Sequence, residues 1–238
     1  MSTRGTTLRD MVFARGTLAD YERFATLHYR RETPAFVSNV FLLKGIAGED
    51  AGVITYSYPP ANCAARNRLF TDLPRGRSER LKRINEQFRI VSRVILLPEY
   101  RGLGLASLFL RHSANFVDVR CIEALSASEA GAGLFERAGF TRTDCPESRQ
   151  KKRLIRLMRK YELPFALSCE ARRAKTPLLP AEAQEEIYRA AGALLGAYGR
   201  LREIKACGER LEAAVQKLHC NPAYFYLLKA GERRRRDA

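Results

Sequence analysis

Residues 88–109 read FRIVSRVILLPEYRGLGLASLF. The run from Ile90 to Leu97 is rich in β-branched residues and is closed by Pro98, the pattern of a buried strand. Arg101-Gly102-Leu103-Gly104-Leu105-Ala106 follows, and with it the apolar-periodic series Leu105, Leu108, Phe109, His112 and Phe116. The order is strand, glycine-bearing turn, helix start. The first N–H groups of a helix lack intrahelical partners, and that end carries a partial positive charge. Glycines at 102 and 104 remove side chains that would hold a large anion away from those donors. The stretch reads as a cradle for phosphate or pyrophosphate, against the plainer alternative of a helix start with no ligand. It is no nucleotide P-loop, since GxxxxGK(S/T) is absent, and the dinucleotide fingerprint lacks its third glycine.

Arg101, Gly104 and Ala106 fit the pattern Q/R-x-x-G-x-G/A, and the stretch resembles the acyl-CoA-binding motif of the GNAT N-acyltransferases. About thirty residues on, 132–140 (AGLFERAGF) resemble the second signature of that superfamily, the helix and turn before its sixth strand. The resemblance implies an α/β fold with a mixed central sheet flanked by helices, and acetyl-CoA or another acyl-CoA as cofactor. Main-chain groups of Val94, Ile95 and Leu96 would pair with the pantetheine arm, and an N–H near Ile95 would polarise the thioester carbonyl. The pyrophosphate would lie on Arg101, Gly102, Leu103, Gly104, Leu105, Ala106 and Ser107. Shorter matches resemble one branch: His28-Tyr29-Arg30 with Pro34, Ser92-Arg93, and Tyr100 to Gly104. They are similar to the GNAT-type domains fused to ABC-family ATPases and to the Mom-type DNA-modifying proteins of phages. That likeness implies N-acylation of a nucleic acid, with adenine N6 of DNA as acceptor and His28, Tyr29, Ser92 and Ser126 as catalytic candidates. Many members have a proton-donating tyrosine where Phe135 stands here, so that role must move or be unnecessary. The alternatives are an acyltransferase acting on a protein, an aminoacyl-tRNA or a small amine, and a non-catalytic binding module.

Composition bounds these readings. The 238 residues are 46% hydrophobic and 29% charged, as in a soluble globular protein with a substantial core. No apolar run approaches the roughly 18 residues of a membrane span, and MSTRGTTLRD has no apolar signal region, so the expectation is a cytoplasmic protein with no membrane partner. Six scattered cysteines without a CxxC pair, and only three histidines, predict reduced thiols and no metal site. Lys and Arg number 42 against 26 Asp and Glu, a net charge of +16. Such a field draws polyanions, and it predicts a nucleic-acid partner, DNA before RNA.

Outward from the central stretch, the chain predicts a strand over 7–13, a helix from a Thr17 cap to about His28, and strands over 36–44 and 51–58. A long arginine-bearing connection, 59–77, precedes a helix from Ser78 to about Gln87. Strands follow at 121–127 and from Phe140. The pattern 147–163 is a basic helix. A loop with Pro177 and Pro180 leads to a long amphipathic helix or helix pair over 181–219, with Gly196, Gly199 and Gly208 as possible breaks. Tyr224 to Leu228 reads as the last strand. The expected organisation is a core over 1–146, a basic helical insertion over 147–219, and the last core strand with a basic tail over 220–238.

Overall fold

The computed structural model describes residues 11–28, 33–163, 167–196, 206–218 and 222–229. Strand β4 (Phe88–Leu96) forms the middle of a seven-stranded sheet. Its neighbours are β1 (Val12–Gly16), β2 (Val37–Lys44), β3 (Asp50–Ser57), β5 (Cys121–Ser126), β6 (Thr141–Asp144) and β7 (Ala223–Leu228). The order across the sheet is β1-β2-β3-β4-β5-β7-β6. Every pairing is antiparallel except β4 with β5. The fold is thus α/β, with a mixed sheet flanked by helices.

The central strands are buried on both faces, which is why they read as near-continuous apolar runs. On one face, helices α4 (Leu105–Ala114) and α5 (Glu129–Arg137) pack Leu105, Phe109, Leu110 and Phe135 on Phe41, Ile54, Leu96, Ile122 and Phe225. On the other, α1 (Leu18–Phe24) packs Tyr21 and Phe24 on Val40, Leu42, Val53 and Ile95. Beside it, Ile84 of α3 (Arg77–Gln87) joins Phe70, Phe88 and Cys121. Thr17 caps α1 as its sequence predicts: the hydroxyl takes Asp20 N–H, and the Asp20 carboxylate takes Thr17 N–H at 2.6 Å. That backbone bond, helped by the hydroxyl, holds the Asp20 carboxyl below its usual range.

Several expectations change. The first described strand is Val12–Gly16, later than 7–13, and residues 7–10 lie outside the described part. The connection 59–77 contains a helix, α2 (Ala64–Leu69), because Arg66 at its middle is pinned against the sheet. Between Leu163 and Pro180 there is a further helix, α7 (Cys169–Lys175), capped by Ser168. Its short length hid it behind the two prolines. The amphipathic stretch resolves into α8 (Ala181–Leu195) and α9 (Cys207–Leu218). Gly208 sits in the first turn of α9 and breaks nothing, while Gly199 lies outside the described residues.

The chain divides into two compact units, Met1–Asp144 with Pro222–Ala238, and Cys145–Asn221. The second has its own core. Leu154, Leu157 and Met158 of α6 (Arg149–Lys160) meet Ile187, Ala191 and Leu194 of α8 and Leu211, Ala214 and Val215 of α9. Among the described residues no helix is long and apolar enough to cross a membrane, and no acidic, His or Cys cluster has the makings of a metal site.

Candidate functional site

The site begins where two parallel strands part. β4 and β5 pair over only three positions, Phe88↔Cys121, Arg89↔Ile122 and Ile90↔Glu123. Both then continue, β4 to Leu96 and β5 to Ser126, each still paired on its far side, with β3 and β7 respectively. A cleft opens between their facing edges. The ladder settles which groups look into it. Leu97 N–H donates to Ala51 O at 3.0 Å, so alternation turns Ile95 towards β3 as well. A Cβ added to Gly52 would stand 2.7 Å from Ile95 O, which agrees. The main-chain groups aimed at the cleft are those of Val94 and Leu96. The expectation of an N–H donor near Ile95 thus narrows to its neighbours, because Ile95 itself faces β3.

A β-bulge accompanies the parting. Thr55 pairs Arg93 and Tyr56 pairs Val91, leaving Ser92 as the extra residue on β4. Bulges re-aim side chains next to functional sites. Here the Ser92 hydroxyl donates to Ser57 Oγ at 2.6 Å. Beside it, Thr55 is fully buried and its hydroxyl has no hydrogen-bond partner.

At the end of β4 the chain makes a 3-10 turn, Pro98–Tyr100, and enters the glycine turn. Gly102 has φ +80° and Gly104 has φ +75°, left-handed values that cost other residues about 1–2 kcal/mol. Gly104 is the N-cap of α4, and no side chain caps that end. A Cβ on either glycine would meet nothing within 4 Å, so the helix terminus stays open. Arg101 is anchored by its Nε–H, which donates to Leu96 O at 2.9 Å. Ser107 Oγ–H donates to Gly104 O at 2.8 Å. The resulting cavity, about 380 Å³, is bounded by Val94 and Leu96 of β4, Tyr100, Arg101, Gly102 and Gly104 of the turn, Leu105 to Ser107 of α4, and Leu134 and Arg137 of α5. Two cationic side chains, an open helix N-terminus and a strand edge therefore face one space. This set of donors fits an elongated ligand with a doubly charged phosphate segment at one end.

Tyr100 is held from outside. Its hydroxyl donates to the Glu49 carboxylate on the β2–β3 turn. That bond pushes the phenol up to about 12 and keeps the carboxyl below its usual range.

The predicted cofactor residues thus gather at one cavity, with two exceptions. Ile95 turns its side chain to the opposite face, against Tyr21 and Phe24, and Leu103 is 62% exposed on the outside of the turn. Of the catalytic candidates, Ser92 and Ser126 stand on the two strands that separate. The Ser126 hydroxyl donates to Ser128 O at 2.9 Å in the turn before α5. His28 lies half-buried after the 3-10 turn that ends α1, its N–H donating to Ala25 O at 3.3 Å. Tyr29 lies outside the described residues. Phe135 sits in the core between Phe140 and Phe225, with ring centroids 5.5 and 5.2 Å away.

One constellation escaped the sequence reading. Glu123, the last residue of β5 to pair with β4, is 1% exposed and takes a two-pronged bond from Arg66, Nε–H at 2.7 Å and Nη2–H at 2.9 Å. The same guanidinium donates to Pro60 O at 2.9 Å, and Tyr224 of β7 donates its hydroxyl to Glu123. Burial, and then the adjacent carboxylate, push the Tyr224 phenol far up, so it remains a donor. The visible signal was a lone glutamate inside the apolar strand CIEALS, a residue type almost never buried without a partner.

No protein-family model matches this sequence, and no curated protein matches it. Among solved structures, NAA60 of Arabidopsis thaliana bound to a bisubstrate analogue is similar at 15% identity and a TM-score of 0.37. That match covers 56% of this chain and 87% of that one. The GNAT family N-acetyltransferase YhbS of Escherichia coli, in complex with CoA, gives 14% identity and a TM-score of 0.39, over 59% and 72% of the two chains. Spermidine N-acetyltransferase of Vibrio cholerae, with CoA and spermine, gives 10% and 0.36, over 57% and 83%. At these values no ligand or acceptor passes from them to this chain.

Proposed function

We propose that this chain is an acyl-CoA-dependent N-acyltransferase whose acceptor is a nucleic acid, with adenine N6 of DNA as the acceptor nitrogen. The observation that carries the acyl-CoA reading is the parting of β4 from β5 directly before an uncapped, glycine-lined helix N-terminus. The exposed edge of a strand pairs with an extended, amide-bearing ligand as another strand would. The pantetheine arm is such a ligand, and Val94 and Leu96 present the matching main-chain groups. The α4 terminus, with Arg101 and Arg137 beside it, takes the phosphates. When bound, an acyl-CoA supplies a thioester carbon to which the amine nitrogen bonds as the carbon–sulfur bond breaks, the amine proton ending on the released thiol.

Support for a nucleic-acid acceptor comes from the net charge of +16 and from the short matches to the Mom-type branch. The chemistry is consistent with it. A lysine-like amine, with a pKa near 10.4, must lose a proton before it attacks, whereas an exocyclic base amine is already neutral. It needs positioning first, including unstacking of its base at a cost of a few kcal/mol. Ser92 and Ser126 stand on the two strands that part, and each hydroxyl, its proton given to Ser57 or to Ser128 O, keeps lone pairs suited to accepting from such an amine.

The test is incubation of the purified chain with duplex DNA and acetyl-CoA, followed by mass spectrometry of the released nucleosides. An N6-acylated 2′-deoxyadenosine is the expected product. Acyl transfer confined to protein or polyamine added as competitor overturns the acceptor assignment. Unchanged CoA affinity in Gly104→Glu, read by calorimetry, overturns the cofactor assignment.

A further inference from the structure

Helix α6 holds seven Lys and Arg and no Asp or Glu in twelve positions. From sequence alone a helix so sharply divided into cationic and apolar sides is equally a membrane-surface helix, which would lay its apolar side among lipid tails. The fold removes that option. Leu154, Leu157 and Met158 are 0–3% exposed in the core of the helical unit, and Ser148 caps the helix through Lys151 N–H at 3.1 Å. What α6 offers to solvent is its other side.

Arg149, Arg153, Arg156 and Lys160 follow one another at steps of four, three and four residues, one above the next on a single exposed stripe. The stripe runs about 16 Å along the helix at 1.5 Å per residue. Lys152 and Arg159 flank it, also exposed. Among the described residues no carboxylate pairs with Arg149, Lys152, Arg153, Arg156 or Arg159, whereas Lys160 lies 3.7 Å from Glu186. Cations on other elements do meet carboxylates. Arg142 meets Glu129, Arg120 meets Asp72, and Arg189 meets Glu185 one turn away on α8. On α6 like charges stand one turn apart instead, an arrangement that weakens a helix in water and is relieved when a polyanion lies along it.

We propose that the exposed face of α6 is a docking surface for the phosphate backbone of a nucleic acid, sequence-independent and separate from acyl transfer. The choice of partner rests on the reading of the acceptor given above. The physical basis is independent of it: a row of four cations at helical repeat, three of them without a carboxylate partner among the described residues, on a helix whose apolar side is already spent in a core. Contacts of this kind fix a protein on its polymer without reading bases.

The experiment measures binding of a short labelled duplex to the full chain across a salt series, by fluorescence anisotropy. Four phosphates neutralised by the stripe contribute about −3.6 to the log–log slope, at −0.9 per contact on duplex DNA. That amounts to about a 150-fold loss of affinity between about 50 and 200 mM salt. The fourfold variant Arg149→Gln, Arg153→Gln, Arg156→Gln, Lys160→Gln is expected to lose that part of the slope. The variant Arg149→Lys, Arg153→Lys, Arg156→Lys, which keeps the charge, is expected to retain it. All these side chains are solvent-facing, and unchanged helical circular dichroism and melting temperature confirm that the variants are folded. An unaltered slope in the glutamine variant overturns the proposal. So does binding of the wild type to anionic phospholipid vesicles with none to the duplex. If the slope falls as expected but no base is ever acylated, the docking surface stands and the acceptor reading fails.

Discussion

Breaking the buried pair Arg66–Glu123 has a consequence of definite size. Arg66 is 0% exposed and Glu123 1%, so water cannot replace a lost partner. Arg66→Met leaves a carboxylate in the core with only the Tyr224 hydroxyl against it. Glu123→Gln leaves a guanidinium whose two carboxylate acceptors are replaced by one neutral amide oxygen, with Pro60 O as its other acceptor. Removing one member of such a pair costs about 3–5 kcal/mol. For a unit of this size each kcal/mol moves the melting temperature by about 2–4 °C, giving a drop of about 6–20 °C. The double change Arg66→Met with Glu123→Leu removes both charges and is expected to recover most of that loss, since apolar replacements of buried pairs are often neutral or better. The chain contains no tryptophan, so melting is best followed by circular dichroism, with hydrogen exchange by mass spectrometry locating the effect. Faster exchange is expected in 121–126 and 223–228, the segments the pair and Tyr224 hold together, with 149–160 unaffected. Glu123 also marks the last rung before β4 and β5 part. Loosening it is expected to weaken CoA binding without touching a cofactor-lining residue. If both single variants melt within about 1 kcal/mol of the wild type, the pair is a surface-like ornament and the reasoning from burial is wrong.

Gly104→Ala is expected to cost about 1–2 kcal/mol of stability through its φ of +75° alone, because an added methyl meets nothing within 4 Å; Gly104→Glu is expected to lose CoA affinity at least tenfold, and calorimetry separates the two. Tyr100→Phe removes the hydroxyl that keeps Glu49 below the usual carboxylate range. A carboxyl whose folded pKa is depressed adds stability above its unfolded value, lost as pH falls through the folded one. The stability gap between wild type and Tyr100→Phe should therefore be present at neutral pH and close in acid, as pH-dependent melting will report. Ser92→Ala severs the 2.6 Å bond to Ser57 and is expected to lower turnover while leaving CoA affinity intact. Full turnover in that variant removes Ser92 from the acceptor side.

The turn at 101–106 was legible because everything it needs is local. A strand, two glycines and a helix start follow one another within twenty residues, and the backbone values at Gly102 and Gly104 repeat what the residue types implied. The capping of α1 by Thr17 was legible for the same reason, and so was Gly196 as a candidate end for α8, although periodicity alone does not choose between one long helix and a pair over 181–219. What was hidden is long-range. Arg66, Glu123 and Tyr224 come from segments 57 and 101 residues apart, and nothing in any one of them names the others. The bulge at Ser92 is a property of two strands in register, so VSRV in isolation reads as plain alternation. Which residue near Ile95 carries the donor was hidden for the same reason. Periodicity assigns faces to side chains, but which way a main-chain N–H points depends on the partner that begins the ladder, here Ala51.

The position of β7 in the sheet has a consequence during synthesis. It lies between β5 and β6 and is the strand to which both pair on that side, yet it is encoded after the whole of Cys145–Asn221. A ribosome adding 5–20 residues per second takes about 4–16 s to make those roughly 80 residues. Throughout that interval β5 has an open edge, β6 lacks β7, and Phe135 lacks the Phe225 ring it packs against. An open, apolar edge is a template for other chains. The nascent protein must therefore wait, with its central sheet unsealed, while an independent helical core assembles between the two parts of the sheet it interrupts, and any stop codon within that stretch releases a chain that cannot close.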